Sequence, residues 1–211
     1  MKISLTFDNG PSIVTDDILR TLDKHSVRAT FFVVGTQLAT SDAPARLQSI
    51  SSAGHSIGNH SHTHTVPLGL CSEIDAVSEI ERTDLLLSSL GHPTHLFRPF
   101  GGGGAINNKL LHTASVDYML RQKMTCVTWN CVPRDWEQPD SWLAVALDHV
   151  STHDWSVVVL HDLPGCGSQH VDEFIIRARQ LGGTFVTEFP DECTPIRRGI
   201  ASGQLASITN T

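Results

Sequence analysis

The feature that most constrains the fold is an alternation of short strand-like segments with helical segments along almost the whole chain. Residues 29–34 are an apolar run, residues 55–57 alternate between polar and apolar, and turn residues lie between the segments. The predicted strands span residues 2–7, 29–34, 55–59, 95–98, 125–130, 157–161 and 184–187. Because strands that alternate with helices form parallel sheets, the chain is predicted to be an α/β protein.

The helical segments are predicted from apolar residues spaced three and four apart. Ile18, Leu19 and Leu22 follow this spacing in the first of them. The longest has acidic residues near its start, where the helix dipole favours negative charge, and Gly91 ends it. The predicted helices span residues 15–25, 44–53, 72–90, 106–122, 141–152 and 170–181.

The length of 211 residues is enough for one large domain with a sizeable core. The chain has no internal repeat, and no stretch is rich enough in Gly, Pro or Ser to act as a linker. One domain is therefore predicted over residues 1–190. The periodic pattern fades after Phe189, and residues 199–211 are small and polar. Residues 191–211 are accordingly predicted to be a C-terminal tail, partly disordered.

The charge of the chain excludes some classes of partner. The formal net charge is −7 and the pI is near 5.9. Nucleic acids and anionic membranes are bound by basic surfaces, so neither is predicted as a partner. No apolar run approaches the roughly 18 residues of a membrane-spanning helix. A small or neutral ligand is expected instead.

The cysteines and the N-terminus bear on location. The five cysteines are an odd number at scattered positions, which is neither a disulfide framework nor a CxxC metal motif. They suit a reducing compartment. The chain begins directly on a strand-like segment, without the charged and apolar regions of a signal peptide. The predicted location is the cytoplasm if the sequence is the whole native chain, although a trimmed chain would look the same.

Three histidines, His60, His62 and His64, lie within five residues. Histidine is the commonest protein ligand of zinc-like metals. On a helical turn His60 and His64 would share one face, whereas on an extended segment all three would do so. Either geometry would bring two imidazoles to one point. The alternative is a polar surface loop that is rich in histidine.

Polar segments follow five of the predicted strands. They are Asp8-Asn9-Gly10-Pro11, the segment His60 to His64, Arg98-Pro99-Phe100-Gly101, Asp135-Trp136 and Leu160-His161-Asp162. Each alone could be an ordinary turn or cap. Ligand sites of parallel α/β domains lie at the carboxyl ends of the strands, so five such segments together predict a functional site.

These segments resemble the five motifs of the polysaccharide deacetylases, carbohydrate esterase family 4, in the family's order. The motif Thr-Phe-Asp-Asp-Gly-Pro corresponds to residues 6–11, and the motif His-Ser/Thr-x-x-His to residues 60–64. The third motif is present in a shorter form at residues 98–101, and the last two end at Trp136 and Asp162. The resemblance implies a distorted, incomplete (β/α)7-type barrel in a single domain, with residues 1–190 as the catalytic domain.

The resemblance also implies roles for the polar residues. Asp8 corresponds to the general base, His161 to the general acid and Arg98 to the arginine that holds the catalytic carboxylate. Asp135 is expected to tune or orient nearby groups. The predicted walls of the substrate pocket are Phe100, Gly101, Trp136 and Leu160.

The implied cofactor is a divalent metal, zinc or another such as cobalt. His60 and His64 correspond to the two histidine ligands, and His62 falls on a variable position. Asn9 stands where the family has its second aspartate, the carboxylate ligand. An amide oxygen can bind a metal, but it is neutral and binds a zinc-like cation less strongly than a carboxylate does. The affinity for metal is therefore expected to be weak.

The function implied by the resemblance is metal-dependent hydrolysis of the acetamide of an N-acetylglucosamine-containing saccharide, such as a chitooligosaccharide, with release of acetate. Two alternatives stay open. One is a related metal-dependent amide hydrolase whose substrate is not a sugar. The other is a saccharide-binding homologue whose catalysis is impaired by Asn9.

Overall fold

The computed structural model of the protein describes residues 1–210. Its α-helices are α1 Thr15–Lys24, α2 Ala43–Ser52, α3 Glu73–Ser89, α4 Thr113–Arg121, α5 Trp142–Thr152 and α6 Val171–Gln180. Its strands are β1 Lys2–Asp8, β2 Thr30–Val33, β3 Ser56–Asn59, β4 Leu96–Phe97, β5 Leu111–His112, β6 Thr125–Cys126, β7 Trp155–His161, β8 Thr184–Phe185, β9 Ile196–Arg197, β10 Ile200–Ala201 and β11 Thr209–Asn210. Every predicted helix and strand has a counterpart among them.

The main difference from the predicted elements lies before α4. The helix predicted from residue 106 begins only at Thr113, because β5 precedes it and pairs with β11 about a hundred residues later. His112 ends the strand and caps the helix: its Nδ1 accepts a hydrogen bond from Ala114 N at 3.1 Å. Ser115 Oγ accepts one in return from His112 N at 3.2 Å. This reciprocal capping satisfies two main-chain N–H groups at the start of the helix.

The described chain forms two compact units, and each is assembled from three separate segments. The first unit contains Met1–Phe31, Thr40–Ile57 and Trp129–Phe189. The second unit contains Phe32–Ala39, Gly58–Thr128 and residues 190–210.

The first unit is organised on β1, which pairs in parallel with β7 along its whole length. Six of the seven residues of β1 are buried, as expected of a strand in a parallel sheet. β8 also pairs with β1 in parallel. Helix α1 packs against α2 and α6, and α5 packs against α6 and β7. Phe7 and Phe31 stack in the core with ring centroids 5.1 Å apart.

In the second unit, β4 pairs in parallel with both β3 and β6. β9 pairs with β6 in the antiparallel direction, and so does β10 with β9. Helix α3 packs against α4. The prediction of a parallel sheet is therefore confirmed for the strands before residue 190, and the C-terminal segment adds antiparallel pairs.

Residues 191–210 have regular structure that the sequence pattern did not predict. They contain β9, β10, β11 and two turns of 3-10 helix. Cys193 and Ile196 are 1% and 0% exposed. Strands of two residues are too short to produce a periodic pattern, and the partners of β9 and β11 in the preceding chain, β6 and β5, are distant in sequence. The predicted domain boundary at residue 190 stays a prediction.

The buried face of α3 does not contain all of the apolar residues of the helix. Ile74 and Leu85 are 81% and 65% exposed. The buried residues of the helix are Ala76, Ile80, Thr83 and Leu87. The helix therefore presents a partly polar face to the rest of its unit.

Two further observations concern the helices and the cysteines. Within residues 1–210, no helix has both the length and the apolar character to cross a membrane. The five cysteines of the described chain are free, four of them buried.

Candidate active site

The predicted site residues are distributed over both units. The first unit contains Asp8, Asn9, Asp135, Trp136, Leu160 and His161, and the second contains His60, His64, Arg98, Phe100 and Gly101. The predicted roles that combine residues of both units, such as that of Arg98 toward Asp8, stay predictions.

Asp8 and His161 lie side by side in the first unit, at the last paired position of β1 and β7. Most residues of both strands before this point are buried, and these two ionisable residues mark the carboxyl ends of the strands. Asp8 is 3% exposed. Asp162 N donates a hydrogen bond to the main-chain oxygen of Asp8 at 3.2 Å, which extends the pairing by one residue. The predicted base and acid are thus neighbours on adjacent strands.

Asp135 holds His161 by two hydrogen bonds. Its Oδ2 accepts from the main-chain N–H of His161 at 2.7 Å, and its Oδ1 accepts from Nδ1 of the ring at 2.8 Å. Asp135 is fully buried, so the pair is shielded from solvent. Because Nδ1 carries the hydrogen toward Asp135, Nε2 is the nitrogen of His161 that can exchange a proton with a substrate.

The pKa of His161 is set by opposing effects. Burial of the ring lowers the pKa, while the hydrogen bond and charge of Asp135 and the charges of Asp8 and Asp162 raise it, and the net shift is upward. A raised pKa keeps the imidazole protonated to higher pH, as a general acid requires. The edge of Trp136 packs on the same ring, with centroids 4.8 Å apart.

Asp162 directly follows His161 and belongs to the same cluster of ionisable residues, although the sequence assigned it no role. Its side chain is fully buried, and Oδ2 accepts a hydrogen bond from Thr15 Oγ1 at 2.7 Å. Oδ1 has no hydrogen-bond partner. Burial raises the pKa of this carboxyl to about 7. A Cβ on Gly10 would overlap the carboxyl, so only glycine fits beside it. The signal in the sequence was an ionisable residue directly after an apolar strand.

Asn9 adopts a left-handed main-chain conformation, with φ of 75°. Asparagine tolerates this region better than most residues do. Its side-chain Oδ1 is buried and has no hydrogen-bond partner. A buried amide oxygen without a partner is unfavourable, and a bound cation would satisfy it. This atom therefore fits the role of a metal ligand.

Two predicted pocket residues of the first unit differ in exposure. Trp136 is half-buried, and the guanidinium of Arg134 lies 5.4 Å from the centre of its ring. Leu160 is only 2% exposed and is paired with Phe7. Within this unit, Trp136 is the more accessible of the two for contact with a substrate.

In the second unit, the imidazoles of His60 and His64 converge. Their Nε2 atoms lie 3.1 Å apart. Nδ1 of His60 donates to the main-chain oxygen of Arg98 at 2.8 Å, so in the neutral ring the lone pair is on Nε2. Histidines that bind a metal commonly donate their other ring N–H to such an acceptor. Two zinc–nitrogen bonds of about 2.0–2.1 Å at a tetrahedral angle separate the nitrogens by roughly 3.3 Å, so the pair fits a divalent metal.

The main chain of this segment has neither of the two predicted geometries. It is a loop that follows β3, with Ser61 and His64 at left-handed φ angles of 64° and 54°. The turns of the loop, rather than a helix or a strand, bring His60 and His64 together. Nδ1 of His62 instead lies 3.5 Å from Thr83 Oγ1 on α3. Burial of His62 lowers its pKa.

Among residues 1–210, no group of three His, Cys, Asp or Glu side chains is arranged to hold a metal ion. The predicted ligand set is of a different type, since it contains two histidines and an asparagine. Its side chains are all neutral when the histidines bind through unprotonated nitrogens. Such a set suits zinc or cobalt chemically and binds either less tightly than a set with a carboxylate.

Arg98 is fully buried in the second unit. Its Nε and one terminal nitrogen donate to the main-chain oxygens of Val127 and Thr128 at 3.4 and 3.3 Å, and the guanidinium lies over the ring of Phe32. Phe100 packs on His64, with ring centroids 4.1 Å apart. The next residue, Gly101, accepts a main-chain hydrogen bond from Ala105.

Comparison with known proteins gives one family. A family model described as polysaccharide deacetylase matches residues 1–119. The chain is 30% identical over 165 residues to a chitooligosaccharide deacetylase of Bradyrhizobium sp., covering 76% of this chain and 70% of that protein. It is 27% identical over 189 residues to a peptidoglycan-N-acetylglucosamine deacetylase of Listeria monocytogenes, covering 88% of this chain but only 38% of that protein.

Solved structures are similar as well. A family 4 carbohydrate esterase of Streptomyces lividans, in complex with acetate, matches with a TM-score of 0.76 and 25% identity, over 93% of this chain and 97% of that one. A family 4 acetyl xylan esterase of Clostridium thermocellum, in complex with a cobalt ion, matches with a TM-score of 0.73 and 25% identity, over 88% and 87%. These similarities confirm the predicted single-domain α/β fold class.

Proposed function

The chain belongs to the polysaccharide deacetylase family, and from this we propose that it is a metal-dependent N-deacetylase of a small saccharide. The predicted class of enzyme, a deacetylase-type hydrolase, is confirmed by that membership. The proposed reaction is hydrolysis of the acetamide of an N-acetylglucosamine-containing saccharide, with acetate and a free amine as products. The observation that carries the proposal is the arrangement of Asp8, Asp135 and His161, in which both carboxylates are buried.

The first unit provides the general base and the general acid of the proposed reaction. Amide hydrolysis needs one proton removed from the attacking water and one delivered to the departing nitrogen. Asp8, ending β1, takes the first proton, and His161, ending β7 beside it, delivers the second from Nε2. Asp135 holds the ring of His161 in the orientation and tautomer that delivery requires.

The metal would be held by His60 and His64, with Asn9 as the third protein ligand. Support comes from the convergent Nε2 atoms of the two histidines and from the unsatisfied Oδ1 of Asn9. A divalent metal, when bound, acidifies water and polarises a carbonyl group. We propose zinc, with cobalt as a substitute, and weak affinity because the ligand set is neutral.

The proposed substrate is a chitooligosaccharide-like molecule. Support comes from the relative of Bradyrhizobium sp., which is named a chitooligosaccharide deacetylase. Two aromatic side chains also lie against predicted site histidines, Trp136 against His161 and Phe100 against His64. Aromatic rings of this kind stack on the apolar faces of sugars. The negative net charge also favours a neutral saccharide over an anionic polymer.

The test is acetate release from purified protein that has been stripped of metal and then supplied with zinc or cobalt. The panel contains chitooligosaccharides, peptidoglycan fragments and an acetylated amine that is not a sugar. We expect metal-dependent release from chitooligosaccharides, and a loss of about a hundredfold in His161→Ala, the usual scale for a positioned acid.

Three other results would contradict the proposal, and two of them would indicate a different function. Release from the non-sugar amide alone would identify a related amide hydrolase. Saccharide binding without release in the presence of either metal would identify a binding homologue with impaired catalysis. Equal release with and without metal would contradict the proposed chemistry.

A further inference from the structure

We propose that Glu79 of α3 is a positioning residue, which holds the loop from His60 to His64 so that its two imidazoles converge before metal binds. The inference rests on the proposed function, because the convergence matters only if these histidines bind a metal. Glu79 lies outside the five motifs that predicted the site, and its hydrogen bonds go to His62 and Thr63, which lie between the two predicted ligands.

The carboxylate of Glu79 receives three hydrogen bonds from the middle of the loop. Oε2 accepts from the main-chain N–H groups of His62 at 3.0 Å and Thr63 at 2.8 Å. Oε1 accepts from Thr63 Oγ1 at 2.8 Å. Both carboxylate oxygens are thus used on two consecutive residues that lie between the predicted ligands. Hydrogen bonds to an ionised acceptor are stronger than those between neutral groups.

The loop needs external support because its own conformation is unfavourable. Ser61 and His64 are not glycines, yet both have left-handed φ angles. Residues held in this region persist when the surrounding structure imposes it. Glu79 provides that constraint between the two strained positions, at His62 and Thr63. Without it, the N–H of buried His62 would lose its acceptor.

Helix α3 is a suitable support. It has 17 residues, and the side chain of Ser72 caps its N-terminus by accepting from Asp75 N. Thr83, one turn after Glu79, donates to the main-chain oxygen of Ser61 at 3.2 Å. One face of the helix therefore binds both polar groups of the peptide unit that links Ser61 to His62. Thr83 binds its oxygen and Glu79 binds its N–H.

The residue that precedes the loop is bound to the same helix. Nδ2 of Asn59 donates to the main-chain oxygen of Ile80 at 2.9 Å and to Asp84 Oδ1 at 2.7 Å. Its Oδ1 accepts from Ser61 N at 2.9 Å. The entrance of the loop is thereby held independently of Glu79. Loss of Glu79 should loosen the loop without detaching it from the unit.

The test compares zinc binding to metal-free wild type, Glu79→Ala, Glu79→Gln and Glu81→Ala by titration calorimetry. Glutamine can still accept the two main-chain hydrogen bonds through its amide oxygen, and its NH₂ can donate to the hydroxyl of Thr63. Glu79→Gln therefore keeps the hydrogen bonds to the loop and removes only the negative charge. Glu81 is an exposed glutamate of the same helix and serves as the matched control.

We expect Glu79→Ala to weaken zinc binding by about tenfold or more, the lower range for residues that support metal ligands. Glu79→Gln should remain near wild type, and Glu81→Ala should not differ from it. Hydrogen exchange of metal-free protein, followed by mass spectrometry on residues 60–66, should become faster in Glu79→Ala only. Thermal unfolding of each variant shows whether the fold is retained.

Unchanged zinc affinity in Glu79→Ala would overturn the inference, whether or not exchange becomes faster. Equal losses in Glu79→Ala and Glu79→Gln would assign the effect to charge and would overturn the positioning role. Failure of the proposed function looks different, because wild type itself would then bind no zinc. In that case the inference falls with the function.

Discussion

Asp135 accepts two hydrogen bonds from His161, one from the main-chain N–H at 2.7 Å and one from ring Nδ1 at 2.8 Å. A single carboxylate thus fixes both the position of the residue and the tautomer of its ring. It also counteracts the burial of the ring, which by itself would lower the pKa of His161. The proposed acid depends on Asp135 for its geometry and for its protonation.

This relationship predicts the pH dependence of Asp135→Asn. The variant loses the negative charge that helps to raise the pKa of His161, so the imidazole loses its proton at lower pH. Because the protonated form is the acid, the alkaline limb of the kcat/KM profile should move to lower pH. Activity at pH 8 should fall by about tenfold or more.

Acetate release measured from pH 5 to 9 checks this prediction. Glu137→Gln is the matched control, since Glu137 is exposed and pairs with Arg134 instead. An alkaline limb that stays in place in Asp135→Asn would show that His161 is not the titrating acid.

The predicted ligand register is tested by three alanine variants. His60→Ala and His64→Ala should each abolish zinc binding, because each removes one of the two convergent Nε2 atoms. His62→Ala should still bind zinc and should lose stability instead, because its buried ring lies against Thr83. Metal content by atomic emission and thermal unfolding separate the two effects. Zinc loss in His62→Ala together with retention in His64→Ala would mean that the register is wrong.

Asn9→Asp should bind zinc more tightly than wild type, by about tenfold or more, because a carboxylate adds a negative charge to a neutral ligand set. Wild type should be isolated with little metal and be activated by adding it. Without metal, the variant should be less stable, because its new charge would sit where Oδ1 of Asn9 is buried without a partner.

Titration calorimetry and thermal unfolding of both metal-free proteins check these expectations. Equal zinc affinities would show that Asn9 does not bind the metal and that another residue, such as Asp8, completes the site.

The raised pKa of Asp162 predicts that the stability of the protein depends on pH. Burial raises its pKa from 3.8 to about 7, so the folded state keeps the proton over a range in which the unfolded state has lost it. The resulting stabilisation is fully present below pH 3.8 and is lost as pH rises through about 7. Between pH 5 and pH 8 the loss is on the order of 2 kcal/mol.

Asp162→Asn should remove this part of the pH dependence, because an amide resembles the protonated carboxyl and does not titrate. Urea unfolding at pH 5 and pH 8 measures the difference in the free energy of unfolding for wild type and variant. The same difference in both proteins would show that Asp162 does not titrate in this range.

The sequence by itself determined the α/β class and the approximate positions of the six helices and of all strands except β5, β9, β10 and β11. Buried parallel strands are continuous apolar runs, as in 157–161, and amphipathic helices repeat locally, as in α1. It also located the polar strand ends, because Asp8 and His161 are ionisable residues that directly follow the apolar residues Phe7 and Leu160. These signals lie within a few residues of one another along the chain.

Tertiary structure decided what depends on residues distant in sequence. It buried Thr83 on α3, where its hydroxyl donates to the main-chain oxygen of Ser61, and it left Ile74 of the same helix exposed. It turned the His60 to His64 segment into a loop, which no periodic pattern encodes.

Separation along the chain also explains the other features that the sequence did not predict. β5 and β11 are about a hundred residues apart, so neither could be predicted from its neighbours in the chain. The roles of Asp162 and Glu79 arise from contacts with Thr15 and with the loop at His62, each separated from its partner by many residues. Local patterns report propensity and burial, whereas the acceptor that a given N–H or hydroxyl finds is decided only when the chain has folded.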